Sequence, residues 1–289
     1  MKFDYRKLVN QYLTWVERET GGNPNYVPRE IGEIAQELKE PLSEGKCRGL
    51  GQELSYLANW HARRGVVIAS RGDASGWFDL CKAARYEFWN IRIRSRSYDR
   101  AENKIKADNF TPSIINAGQC GISCMALNAW TEAAWMAQRL QQSRADGSIT
   151  PWSWPHAVPR LVIGLHRYLA GQKDVSDLEL GIYKNIFEHW DDRAVLQQAL
   201  LSAADYHVQN LRDKGSEDIA EFTHPPVDIF PAELVAIQRV REKLGLETPP
   251  IDHPLMKTPF ADPPGDLRYE SDELLNKVLE KVRTIIPDL

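Results

Sequence analysis

The sequence predicts an all-α protein, an irregular array of about ten to twelve antiparallel helices. Leu and Ala recur every three to four residues through most of the chain. Three central segments, ELSYLANWHARRG, MALNAWTEAAWMAQRL and LLSAADYHVQNLR, share that spacing around a central aromatic. Alternating apolar runs, the mark of half-buried strands, are lacking, so no sheet beyond two short strands is expected. The segments keep no fixed period, which favours a repeat-like stack of helix pairs over tetratricopeptide repeats.

Along the chain, the helices are placed in order. Phe3, Leu8, Tyr12, Leu13 and Val16 place a first helix over Asp4–Glu19, ended by Gly21 and Gly22. A short helix, Arg29–Lys39, is stopped by Pro41. Leu50, Leu54, Leu57, Ala58 and His61 share one stripe of a third helix, Gly49–Arg64, closed by Gly65. The apolar run Val66–Ala69 reads as helical and leads into Trp77–Ile93. There the stripe of Phe78, Cys81, Ala84, Tyr86 and Trp89 is broad, which implies burial on two sides. Cys120–Leu140 reads as one helix rich in small residues and is expected to be the most buried long element. Pro151–Pro155 form a rigid turn, and Pro159 opens a helix to Leu169. Ser176 with Glu179 has capping-box spacing and predicts a helix to about Trp190. Arg193–Leu211, Pro231–Leu244 and Asp272–Ile285 complete the set. A single domain over 1–289 is expected, with Ala145–Pro151 as the alternative division.

Composition narrows the function. Of 289 residues, 43% are hydrophobic and 26% charged, as in ordinary globular proteins. The formal charge of −4 argues against nucleic acid and suits a basic partner. No stretch is long and apolar enough for a membrane span, and the first residues lack a signal-peptide core, so a cytoplasmic location is expected. Cys47, Cys81, Cys120 and Cys124 are too scattered for a disulfide framework. Zinc, dinucleotide and P-loop signatures are lacking, so no cofactor, no metal and no catalytic residue is assigned.

The histidines read as structural first. His61 lies on an apolar stripe; Asp205 and His207 are too close in sequence to pair on a helix. His224 and His253 each precede a proline in the two ornate loops and are either loop pins or a binding edge. Arg85–Lys106 carries seven basic residues against three acidic ones, and is read as a solvated or salt-bridged face. Asp174–Asp192 carries six acidic residues against one lysine, a surface that would steer a basic partner. Within it Glu188, Trp190, Asp191 and Asp192 are the candidate partner-binding residues, with Trp190 as aromatic anchor.

The segment Phe222–Met256 brackets one amphipathic helix between two proline-rich turns. Its phrases DIFPAELVAIQRVREKLGL and IDHPLM, within Asp228–Met256, resemble the closing region of the immunity protein 49 group of bacterial polymorphic toxin systems. That resemblance implies an all-helical cytoplasmic protein that binds and neutralises a cognate toxin by occluding its active site. The toxin would be the product of a neighbouring gene, delivered by contact-dependent or type VI secretion. Self-association stays open. The alternatives are a helical scaffold or regulatory module, and an enzyme whose site leaves no linear motif.

Overall fold

The computed structural model describes residues 3–23, 25–101, 111–150, 155–211, 220–222, 224–265, 267 and 272–289. The turn expected at Pro151–Pro155 lies, but for its last residue, outside the described residues, as do Lys104 and Lys106 of the basic run.

Every regular element among the described residues is helical. The α-helices are α1 (Tyr5–Thr20), α2 (Arg29–Glu37), α3 (Glu44–Ala69), α4 (Ser75–Arg100), α5 (Ile114–Ala126), α6 (Trp130–Asp146), α7 (Val158–Leu169), α8 (Lys184–Glu188), α9 (Arg193–Gln209), α10 (Ala232–Lys243) and α11 (Glu273–Arg283). Two 3₁₀ turns, Gly181–Tyr183 and Pro254–Lys257, sit between them. The nearest thing to a sheet is a single parallel bridge between Ser113 and Thr150.

Local chemistry sets the helix ends. Asp4, Ser43, Ser113, Asp192 and Asp272 each accept a hydrogen bond from a backbone N–H of the first turn they precede. Gly21 and Gly147 close α1 and α6 in the left-handed conformation.

The centre of the fold is the α3–α4 hairpin, the most extensively packed pair. Gly51 faces Asn90 at one end, while Gly65 faces Gly76 and Leu80 at the other. Later residues of α3 thus meet earlier residues of α4, and the pair is antiparallel. Helices α1 and α2 lean on α3, and α5 packs on α4, α6, α7 and α10. Apart from Asn116, the side chains of α5 are buried along its whole length. Gly118 and Gly121 let it approach Pro159 and Val162 of α7.

Three sequence expectations need correction. Gly65 does not end α3, which continues to Ala69. A Cβ there would lie 2.8 Å from the Gly76 carbonyl oxygen, so the glycine serves close approach rather than termination. Cys120–Leu140 is two helices. Asn128 adopts φ of 61°, and the Ala129 N–H reaches back to the Cys124 carbonyl at 2.8 Å, so the chain turns between α5 and α6. Ser176 starts no helix. The Asp174 carboxylate accepts from both its N–H (3.0 Å) and its hydroxyl (2.7 Å), and a left-handed Gly181 interrupts the segment beyond it. In α6, Ala133 and Met136 are buried but Ala134 is only partly so. Ala133→Leu is expected to cost about 1–3 kcal/mol by overpacking, read from urea unfolding.

Candidate functional site

A cavity of about 380 Å³ lies between α3, α4, α5 and the loop 224–227. Three walls are helical stripes. From α3 come Gln52, Ser55, Tyr56, Asn59 and Arg63, spaced three to four residues apart or adjacent. From α4 come Leu80, Ala83, Ala84 and Glu87. From α5 come Asn116, Gln119, Cys120 and Ser123. His224, Pro225, Pro226 and Val227 close the fourth side. Tyr56, 48% exposed, stands at the mouth with Asn59 and His224.

Glu87 is the anion of the cavity. Its carboxylate accepts the Ser55 hydroxyl at 2.8 Å and the Asn90 amide at 3.1 Å. Burial pushes its carboxyl above the usual range, against those two hydrogen bonds and the charges of Arg94 and His224. The side chain nonetheless remains partly exposed, so solvent reaches it through the mouth. The thiols are poor nucleophiles here. Burial pushes Cys81 up to about 12, and Cys120 is raised by its hydrogen bond to Cys124 and by burial. The Cys120 Sγ points to the Ala84 carbonyl oxygen at 3.7 Å.

The loop wall hangs between two buried carboxylates. Before it, Glu221 accepts the Val158 N–H at 2.6 Å and the Tyr206 hydroxyl at 2.8 Å. Gln119 holds the Glu221 carbonyl at 2.5 Å. After it, Asp228 accepts the Tyr12 hydroxyl from α1. Burial raises the Glu221 carboxyl to about 7 and the Asp228 carboxyl to about 6. The folded chain therefore keeps protons that the unfolded chain releases near 4.5 and 3.8. That contribution to stability is fully present below the lower values and is lost as pH rises through about 6 and 7. His166, depressed by burial, opposes it as pH falls below 6.5. Glu53, pushed up to about 7 by burial, and Glu87 act in the same direction as these two, so the carboxylates outweigh the one imidazole and the melting temperature is expected to rise as pH falls from about 8 to about 6. Glu221→Gln should flatten that profile, and an unchanged slope would place the effect elsewhere.

Of the residues singled out from sequence, His224 lines the cavity, whereas the four partner-binding candidates lie away from it. Glu188, Trp190, Asp191 and Asp192 line a shallow open depression with Tyr168 and Lys173. Trp190 is no surface anchor: it is 3% exposed, stacked 5.7 Å from Phe187 and covered by the Arg241 guanidinium at 5.1 Å. Its indole completes the packing of α8 against the structure beneath. Asp192 serves as the N-cap of α9, accepting from Ala194 and Val195 N–H. Glu188 and Asp191 do face outward, paired with Lys184 (3.4 Å) and Lys173 (3.2 Å). Asp177 is taken up by Arg144 and Arg167, which hold its carboxyl down at about 2.

Other sequence candidates resolve into structure. His61 Nδ1 meets Asp79 at 2.7 Å, and His207 Nδ1 meets Glu233 at 2.7 Å with both side chains fully buried. His253 pins its loop, accepting the Leu255 N–H and lying 3.4 Å from Asp205. In the basic run, Arg96 pairs with Asp99, Arg100 with Glu44, and Arg92 lies over the Trp89 and Trp135 rings. Among the described residues no group of three or more His, Cys, Asp or Glu could hold a metal ion. No helix among them is long and apolar enough to cross a membrane. Comparison with protein-family models, curated proteins and solved structures finds no match.

Proposed function

We propose that this chain is an immunity-type binding protein that neutralises a cognate bacterial toxin, and that the cavity mouth is where the toxin docks. One observation carries the reading: the cavity wall His224–Val227 runs directly into Asp228–Met256, the stretch that resembles immunity protein 49. The resemblance and the cavity thus meet at one place. Tyr56 beside it is an exposed aromatic at the rim of the cavity, a residue type enriched among interface anchors.

The test is co-expression with the toxin domain of the neighbouring gene. The chain should restore growth and form a complex in solution. Tyr56→Ala should weaken that complex about tenfold, mainly through faster dissociation. Reversing Glu188 and Asp191 to lysine should slow association at low salt, with the defect shrinking as salt rises. Asp192 is left out of that pair because its loss would also uncap α9. A toxin that neither binds nor is silenced would refute the proposal.

A second reading has one observation in its favour. A carboxyl raised by burial inside a solvent-reachable cavity is the environment of a general acid, and Glu87 has it. Turnover of a substrate by the purified chain alone, abolished in Glu87→Gln, would establish an enzyme instead.

A further inference from the structure

The chemistry of the cavity narrows what can fill it. Glu87 is the single anionic side chain among the described residues that line it. Arg63, the lining cation, is engaged elsewhere: its guanidinium lies 4.1 Å over the Trp15 ring and interacts with Tyr12 and Asp228. Arg94, seven residues further along α4, acts on Glu87 by its charge and donates Nη2 to the Thr111 carbonyl at 3.0 Å. A partly buried carboxylate whose hydrogen bonds come from the neutral donors Ser55 and Asn90 gains further from a charged donor opposite it. Amide side chains of Gln52, Asn59 and Asn116 add oxygen acceptors along the walls, and the small Ala83 and Ala84 leave the α4 side flat.

The geometry points to a guanidinium as the occupant: the cavity receives an arginine side chain of the protein partner, with Glu87 as its counter-ion. This rests on the neutralisation reading. A planar fork of donors can engage a carboxylate and a neighbouring amide oxygen together, which a single ammonium does less well. The apolar stem of that side chain would lie along Pro225, Pro226 and Val227, with the Tyr56 ring at the mouth for the cation to pass. The groups facing Glu87 are Ser55 from α3, Asn90 and Arg94 from α4, Cys120 from α5 and His224 from the loop.

The experiment is calorimetric titration of the full chain with N-acetyl-arginine methylamide and with its neutral isostere, N-acetyl-citrulline methylamide. The arginine compound should saturate the protein at millimolar concentrations. The citrulline compound should bind at least about tenfold more weakly. Glu87→Gln, its fold checked by melting, should erase the preference; the wild-type comparison stands without it. Equal binding of the two compounds, or no saturation by arginine, overturns the inference. In the toxin complex Glu87→Gln should weaken affinity about tenfold, and an unchanged affinity overturns the arginine assignment while neutralisation stands. A wild-type chain that ignores the toxin yet prefers arginine to citrulline keeps the guanidinium site and overturns the neutralisation reading.

Discussion

Gly76→Ala is expected to destabilise the protein by about 3 kcal/mol, for the addition of one methyl group. The new Cβ would lie 2.4 Å from the Ala69 backbone nitrogen and 2.6 Å from the Gly65 carbonyl oxygen. Both are backbone atoms of the facing helix, so no side chain can rotate away. Relief requires α3 and α4 to separate, which loosens the most extensive contact of the fold. Gly164→Ala is the milder case, since its Cβ would meet the Phe187 ring, which has some freedom to move. Gly32→Ala is the opposite control. Gly32 lies inside α2 with nothing within 4 Å of an added Cβ, so the change should stabilise by roughly 0.5–1 kcal/mol through helix propensity. Urea unfolding of the three variants checks the order. If Gly76→Ala falls within about 1 kcal/mol of wild type, the close approach is not what the geometry says.

Glu233→Ala is the second large effect, at about 3–5 kcal/mol. Glu233 on α10 and His207 on α9 are both at zero exposure and joined at 2.7 Å. The His207 ring also stacks on Phe222 at 4.1 Å, so it cannot swing out to solvent. Removing Glu233 strands a buried imidazole whose Nε2 already lacks a partner. Removing both polar groups should hurt less than the sum. His207→Leu combined with Glu233→Leu is expected to recover part of the loss, because apolar packing replaces the pair. A double variant as damaged as the two singles added together would show that packing volume, not the hydrogen bond, dominates the site.

Helix existence is legible in the sequence because apolar stripes repeat at the spacing that buries one helix face. That is why the stripe over Arg193–Leu211 comes within two residues of α9. What the stripes do not encode is backbone conformation at single residues. Asn128 divides α5 from α6 in an otherwise unbroken alanine-rich pattern, and Gly65 continues a helix where glycine more often ends one. Tertiary packing decides both. The candidate site shows the same limit. Trp190 sits among acidic residues and so reads as exposed, yet Phe187, Tyr168 and Arg241 arrive from distant or neighbouring segments to cover it. The capping role of Asp192 is legible, since it directly precedes Arg193, where the helix begins. The cavity leaves a weaker trace, a polar stripe of Gln52, Ser55, Asn59 and Arg63 on an apolar helix. Nothing local says that Glu87 and His224 meet that stripe, because they come from segments far apart in the chain.

The Tyr12–Asp228 contact joins residues 216 positions apart, whereas the α3–α4 hairpin closes over a turn of five residues, 70–74. Loop-closure entropy makes the near contacts early and the distant one late in folding. The cavity is therefore expected to be the last feature assembled, since its fourth wall waits for α1 and the C-terminal third to meet. A nascent chain still short of residue 224 would carry the residues of three walls of the site, with nothing yet to close it. Closure of the cavity would then depend on synthesis of the C-terminal third, and a product truncated before residue 224 would lack the fourth wall despite its helical content.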